Sequence, residues 1–307
     1  MWNRRADRGP VIWDDGLTQV VEAVVGGLRA ARTAGYLLLD PFDRLLRRLS
    51  GGEELPPLSL RRHAGPVGAF ATSTEGLFQL LSRKGLLHAE TTLLDLGCGP
   101  GAVPLRLTQE QMTIRAYIGI DVHERSIAWC QGRFARQTAF RFELAGVRSP
   151  YGSGGLLNAG DYGFPVDDGA VDLILAKSLF THLLEGTARH YLSEMHRCMA
   201  PEGRGVLTAF VFDGQSETGP PAFPYHAADP RIRWRRWVHP HAAVAYDRGL
   251  FEEMLTSAGF EFLEMLPGFW PGSSGAIRGQ DTFIVRPALT GAARPVSLSP
   301  PRDEVRS

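Results

Sequence analysis

The stretch LLDLGCGPG, residues 93–101, constrains the fold more than any other part of the chain. An aliphatic run closes on Asp95 and gives way to Gly97, Gly99 and Gly101 at alternate positions. Glycines there permit positive φ and let a ligand lie on backbone where a β-carbon would otherwise stand. In a doubly wound sheet, the carboxyl end of a strand beside the topological switch point is where ligands bind.

The surrounding pattern predicts such a sheet. Short β-type runs, TTLLDL, AYIGID (116–121), AFRFEL (139–144), VDLILAK (171–177) and GRGVLTAFVF (203–212), alternate with helix-like segments. In HERSIAWCQGRFARQ, Ile127, Cys130 and Phe134 share one side; in TARHYLSEMHRCMA the shared side is Ala188, Tyr191, Leu192, Met195, Cys198 and Met199. Strand–helix alternation of this kind argues a parallel sheet covered on both faces. YDRGLFEEMLTSAGF then reads as a helix capped by Asp247 and ended by Gly259, followed by a closing strand pair at 260–266 and 280–287.

Before the sheet, residues 14 to about 50 read as two helices. The first carries Leu17, Val20, Val21, Val24, Val25 and Leu28 as an apolar stripe expected to pack on the main domain. Peripheral membrane contact or dimerisation is the alternative that Arg29, Arg32, Arg44, Arg47 and Arg48 keep open. GGEELPPLSL reads as a linker, and Thr72 with Glu75 as a capping box for a helix ending near Lys84. The last residues, rich in Ala, Pro, Ser and charge, read as a disordered tail over 288–307.

Spacing narrows the ligand. A dinucleotide loop reads G-x-G-x-x-G, whereas this one reads G-x-G-x-G, which disfavours a nicotinamide-dependent oxidoreductase. Asp121 stands at the end of the second strand, twenty residues past Gly101, where a carboxylate can accept hydrogen bonds from a ribose diol. With 33 basic and 33 acidic residues the formal charge is zero, which argues against a broad nucleic-acid surface. Cys98, Cys130 and Cys198 are widely separated and form no C-x-x-C, so neither a disulfide framework nor a zinc site is expected, and no metal is called. No apolar run is long enough to cross a bilayer, and the chain reads as soluble and cytoplasmic.

With these residues in view, the chain resembles the class I S-adenosylmethionine-dependent methyltransferases, in particular a bacterial group with an S-V-F-T-H-L signature. Here that signature is SLFTHL, Ser178 to Leu183, preceded by FPVDDGAVDLILAK and followed by YLSEMHRCMAPEGRGVLTAF. PPLSLRRHAGP, AVAYD and QDTFIVRP are also similar to that group. The resemblance covers about residues 56–287, leaving 1–55 as an N-terminal helical extension. It implies a Rossmann-like methyltransferase fold with a mostly parallel seven-stranded sheet, and S-adenosylmethionine as cofactor.

By that resemblance Asp95, Gly97, Cys98, Gly99 and Gly101 wrap the methionine and ribose of the cofactor, Asp121 takes the ribose hydroxyls, and Val122 lies against the adenine. Backbone at Lys177 and Ser178 borders the methionine end. Where such enzymes often place an Asp on the adenine amino group, this chain has Gly146 in ELAGVRS, with Asp161 or a backbone carbonyl as substitutes. The implied activity is methyl transfer to oxygen or nitrogen of a small acceptor such as a sugar or secondary metabolite. A binding protein without catalysis is the alternative.

His182 is the first candidate general base by position and intrinsic pKa; its other reading is a residue that caps or orients the loop. Cys98 has no identifiable partner base and reads as a small residue in a tight turn. RIRWRRWVHPH, residues 231–241, falls within an expected substrate cap at 213–245. Its arginines could grip an anionic acceptor, or sit outward on a strand with the tryptophans inward. His239 and His241 have metal-type chemistry without a third ligand at a telling spacing.

Overall fold

The computed structural model describes residues 15–288 apart from 53, 153–154, 215–219, 221, 227–228, 237–238 and 271–276. The expected tail at 289–307 therefore lies outside the described residues.

In place of two helices, α1 runs unbroken from Asp15 to Leu49, through both Gly26-Gly27 and Pro41. The apolar spacing continues in phase on either side of these breakers, so each costs helix stability without ending the helix. The side chains of the stripe expected to pack on the main domain, Leu17 to Leu28, lie outside the described residues. Leu37, Leu38, Leu39, Phe42, Leu45, Leu46 and Leu49 are all exposed. The presumed linker instead holds a short α2, Leu58–Arg61, with Ser59, Leu60 and Arg61 buried.

Next, α3 (Glu75–Arg83) begins at Thr74, whose side chain makes no cap bond. The Thr72 hydroxyl is spent on the Ala69 carbonyl at 3.3 Å, so no capping box forms. β1 (Thr92–Leu96), α4 (Ala102–Gln109), β2 (Ala116–Asp121), α5 (Glu124–Arg133), β3 (Phe140–Leu144), β4 (Val171–Ala176), α6 (Glu185–Cys198) and β5 (Met199–Phe212) then follow in the alternation that the sequence predicts. β6 (Tyr225–His226), β7 (Ile232–Trp234), β8 (Val244–Asp247), α7 (Arg248–Ser257), β9 (Phe260–Leu266), β10 (Gly268–Phe269), β11 (Ile277–Arg278) and β12 (Asp281–Pro287) complete the chain.

The sheet has ten strands, not seven. The seven expected ones are present as β3-β2-β1-β4-β5-β12-β9, parallel through β5 and antiparallel at β12 and β9. The additional three exist because β5 overruns its main partners: Phe210–Phe212 pair with β8, which carries β7 and β6 antiparallel. Strand order reverses between β1 and β4, and the loop of residues 97–101 leaves β1 at this point.

Two cores cover the sheet. One joins α6 and α7 through Leu192, Met195, Leu250, Phe251 and Leu255; the other joins α3, α4 and α5 through Phe78, Leu81, Leu105, Leu107 and Ile127. Burying such side chains contributes about 1.5–3 kcal/mol each. Asp247 caps α7 as expected, accepting from the Leu250 amide at 3.1 Å.

Strand β7 departs from the arginines-out pattern at one position: Arg231 and Arg235 are exposed, but Arg233 is inverted, buried with its guanidinium over Phe212, 5.6 Å from the ring centre. Because Trp234 is half-buried and Arg233 is inside, the arginines-out pattern fails here. Arg231 is paired with Asp229 and Glu253, and Arg235 lies over Phe210 and Phe223.

Gly101 opens α4 at φ 82°, and a β-carbon there would stand 2.9 Å from Cys130 Sγ and 3.1 Å from Phe134. Left-handed backbone alone costs an ordinary residue about 1–2 kcal/mol. Gly101→Ala is expected to lower stability by roughly 2–4 kcal/mol once the clash is added. Urea unfolding checks it, and a loss under 1 kcal/mol (~) would contradict the packing described.

Candidate active site

The ends of β1, β2 and β4 border a cavity of about 570 Å³. Its walls include Asp95, Gly97, Cys98, Gly99, Asp121, Val122, Lys177, Ser178 and His182, so nine of the ten residues singled out by sequence converge there. Gly101 is the exception; it shapes the turn from behind and does not face the cavity.

Asp121 governs the loop. One carboxylate oxygen accepts from the Gly99 amide and the other from the His123 amide, each at 2.7 Å. The Gly97 and Cys98 amides both donate to the Ile120 carbonyl, at 2.8 and 3.1 Å. The bonds from Gly97, Cys98 and Gly99 tie the loop after β1 to the end of β2, while the bond from His123 fixes the Asp121 carboxylate locally. Gly99, at φ 51°, has nothing within 4 Å of where a β-carbon would stand, which leaves an open cradle over bare backbone.

Electrostatically the floor is acidic and dry. Asp95 is 2% exposed and accepts from the Tyr117 hydroxyl at 2.7 Å. Burial pushes its carboxyl up to about 6, against the lowering effects of the Tyr117 bond and the Lys177 charge. Burial also raises Asp121, and its amide bonds only partly offset that. Lys177 is lowered by burial and pulled back by Asp95. A nucleoside carrying positive charge suits such a floor, since it would favour both carboxylates in their ionised form. Cys98 is raised well above the ordinary thiol value by burial, which makes it an inert space-filler.

The opposite wall is built from segments far apart in sequence. Ser178 leaves β4 with φ 59°, and its amide donates to Thr208 Oγ1 at 2.7 Å; that hydroxyl in turn donates to Gln280 Oε1 at 2.5 Å. Asp281, buried, fixes the neighbouring chain by accepting from the amides of Val211 and Gly268 and from the Trp270 indole.

His182 sits in a short 3-10 turn over Phe180–His182. Its Nδ1 lies 2.8 Å from the His241 carbonyl, an acceptor only, so Nδ1 carries the proton and Nε2 is the basic nitrogen. Tyr151 donates to the same carbonyl at 2.8 Å, and His241 Nδ1 returns a bond to the His182 carbonyl at 3.0 Å. Burial lowers the His182 pKa, more than the bond to His241 raises it.

Tyr151, His241 and Gln280 were missed in sequence, because each lies in a loop without a local motif. Only the HPH run offered a signal for His241, and it was read as metal-type chemistry; no group of three or more metal-type ligands occurs among the described residues. Asp161, named as a substitute on the adenine, is exposed, accepts from Asn158, and does not line the cavity. Val147, Arg148 and Ser149 line that side instead. From the N-terminal side Arg62, His63, Ala64 and Gly65 close the cavity, with the His63 ring centre 4.5 Å from that of His123 and its pKa lowered to about 4 by burial and by the His123 charge.

A family model described as a methyltransferase domain matches residues 94–207, a span that runs from β1 into β5 and includes the glycine loop, Asp121 and His182. Solved structures similar to this chain are found at low identity. A 1,6-didemethyltoxoflavin-N1-methyltransferase from Burkholderia thailandensis is 15% identical over 72% of this chain and 79% of its own, with a TM-score of 0.47. For a SAM-dependent methyltransferase from Methanosarcina mazei the values are 15%, 67%, 97% and 0.47. One from Aquifex aeolicus gives 17%, 77%, 100% and 0.46. Residues 94–207 thus match a methyltransferase domain, and the glycine loop, Asp121 and His182 of the cavity fall within that match. No helix among the described residues is long and apolar enough to cross a membrane.

The shift at Asp95 has a signed consequence for stability. Its folded value is about 6 and its ordinary value 3.8, so below the lower value both states are protonated and burial costs nothing. Above about 6 both states are ionised and the folded state bears the full cost. Stability contributed at this position therefore falls as pH rises through that window. Asp95→Asn keeps an acceptor for Tyr117, and is expected to gain up to about 3 kcal/mol over wild type between acid and neutral pH. Denaturant unfolding across that range checks it; a gap that does not change with pH would contradict the buried ionised carboxylate.

Proposed function

We propose that the chain methylates an oxygen or nitrogen of a small-molecule acceptor, with His182 as the general base. The observation that carries this reading is the placement of His182: its Nδ1 lies 2.8 Å from the His241 carbonyl, which favours the proton on Nδ1 and a basic Nε2, and the residue lines the cavity that contains the glycine loop. The lowered pKa keeps the ring neutral at pH 7.

In this reading Asp121 accepts from the ribose hydroxyls through lone pairs its two amide bonds leave free, and Val122 flanks the adenine. Gly97, Cys98 and Gly99 offer backbone to the ribose and methionine portions, with Gly101 holding their turn. Asp95 compensates positive charge, and backbone at Lys177 and Ser178 borders the methionine end. Bound S-adenosylmethionine supplies a methyl group made electrophilic by its sulfonium, so the chain's task is alignment and exclusion of water. His182 Nε2 takes the acceptor's O–H or N–H proton as the new bond to carbon forms. For an anionic acceptor the cation is sought at Arg148, on the cavity wall, because Arg231, Arg233 and Arg235 are engaged elsewhere.

Calorimetric titration of S-adenosylmethionine is expected to give one site, weakened about 10- to 100-fold by Asp121→Ala through loss of charge-assisted bonds. Unchanged affinity in the variant would remove Asp121 from the site. Binding without transfer to any acceptor fraction would turn the reading to a ligand-binding protein. His182→Ala is expected to lower kcat about 10²- to 10⁴-fold with cofactor affinity intact. In the wild type, turnover should be flat above pH 7 and fall only below the ordinary histidine value of 6.5, as the depressed pKa is crossed. Full turnover in the variant would leave His182 the role of holding the loop.

A further inference from the structure

We infer that α1 is a self-association helix, and that its partner is the same helix of a second copy running antiparallel. Three independent observations converge on this. The first is how α1 meets the rest of the chain. Asp40 accepts from the Ser59 amide and hydroxyl at 3.1 and 2.6 Å, and Asp43 pairs with the buried Arg61. Burial alone would raise the Asp43 carboxyl, but Arg61 and Arg47 hold it below its ordinary value. The helix is thus fastened by its polar side.

The second observation is what that fastening leaves outside. Leu38 is 73% exposed, Phe42 65%, Leu45 53% and Leu49 76%. An amphipathic helix normally buries its apolar side and shows its polar side. Here the arrangement is reversed, so the apolar side awaits a partner.

The third is phase. Positions 17, 21, 24, 28, 31, 35, 38, 42, 45 and 49 alternate steps of four and three without a slip, and hold Leu, Val, Val, Leu, Ala, Gly, Leu, Phe, Leu and Leu. Asp40 and Asp43 fall on the other side of that seam. An unbroken seven-residue repeat marks a helix that packs on another helix, because an ordinary helix drifts about 20° per heptad away from it. A membrane-surface helix has no need of this phase and gains from a strongly basic polar face. The polar positions of α1 carry four acids, Asp15, Glu22, Asp40 and Asp43, against five arginines, which offers little attraction to anionic lipid.

Side-chain size sets the direction. The earlier half of the seam holds Val21 and Val24, the later half Leu38, Phe42 and Leu45. Parallel pairing would match valines at one end and bulky groups at the other, and so taper the interface. Antiparallel pairing sets position 24 against 42 and 21 against 45, which keeps the helices evenly spaced. At 35 residues α1 is about 52 Å long, enough for a seam to approach the roughly 800 Å² per partner of a standard interface.

Size-exclusion chromatography with light scattering on the full chain is expected to give twice the chain mass. Leu38→Glu with Phe42→Glu should give the single mass while S-adenosylmethionine binding persists. Single-mass wild type at every concentration overturns the inference, as does a dimer that survives both substitutions. Should that variant misfold, Val24→Cys and Phe42→Cys chains still decide: mixed, they should form a disulfide-linked pair that neither forms alone. Cross-linking of Phe42→Cys with itself overturns the antiparallel direction. Flotation of single chains with phosphatidylcholine–phosphatidylserine vesicles would overturn self-association in favour of a lipid surface.

Discussion

The two amide bonds accepted by Asp121 are the constraint on which the site depends. A loop with glycine at alternate positions has many conformations to lose, and ordering each residue costs about 1–2 kcal/mol of backbone entropy. One carboxylate at the end of β2 recovers part of that by fixing Gly99, while the Ile120 carbonyl fixes Gly97 and Cys98. The register of β1 against β2 puts Asp95 beside Gly119 and Leu96 beside Ile120, so the loop starts level with the strand end that holds it. Glycine at position 119 is part of the same arrangement, since a β-carbon there would stand 3.0 Å from Cys98 Sγ. The bare backbone at Gly99 is open to a ligand because its neighbours hold the turn from the other side.

The same burial that orders the loop loads it electrostatically. Asp95 and Asp121 are both raised by burial, and Lys177 is the nearby cation that acts on Asp95. A positively charged ligand relieves a cost the folded chain already bears, which makes cofactor binding and carboxylate ionisation one linked equilibrium. His182 is tuned in the opposite sense: burial disfavours its cation and keeps the ring neutral. The acidic floor and the neutral basic wall thus come from one cause, exclusion of water, acting on groups of opposite charge type.

Legibility in the sequence followed the range of the interactions. The five parallel strands, the helices between them and the glycine turn are local: period, composition and breakers specify them within ten or so residues, and they stand where the pattern put them. Asp121 was legible because the βαβ unit fixes its distance from the loop. Tyr151, His241 and Gln280 were not, since three loops meet only after the sheet has formed, and nothing in SPYG, HPH or GQD marks that meeting. The inversion at β7 has a similar origin. Whether Arg233 or Trp234 goes inside depends on Phe212, at the far end of an overlong β5, and a period-two rule carries no knowledge of that neighbour. For α1 the apolar pattern reports that a face must be covered, while Asp40 and Asp43, bonded to Ser59 and Arg61, leave Leu38, Phe42, Leu45 and Leu49 exposed.

That decision bears on the active site. Ser59 and Arg61 are the residues α1 grips, and Arg62, His63, Ala64 and Gly65, next in the chain, line the cavity. Arg61 is further fixed by its bond to the Pro56 carbonyl at 2.8 Å, so the segment between helix and cavity is short and held at both ends. Under the proposed pairing, the dimer helix and the rim of the cavity are joined through a few residues of chain. The His63 ring lies against that of His123, whose amide donates to Asp121, and through it the rim meets the carboxylate that holds the glycine loop. Contiguous contacts therefore run from the distant helix to the cavity edge.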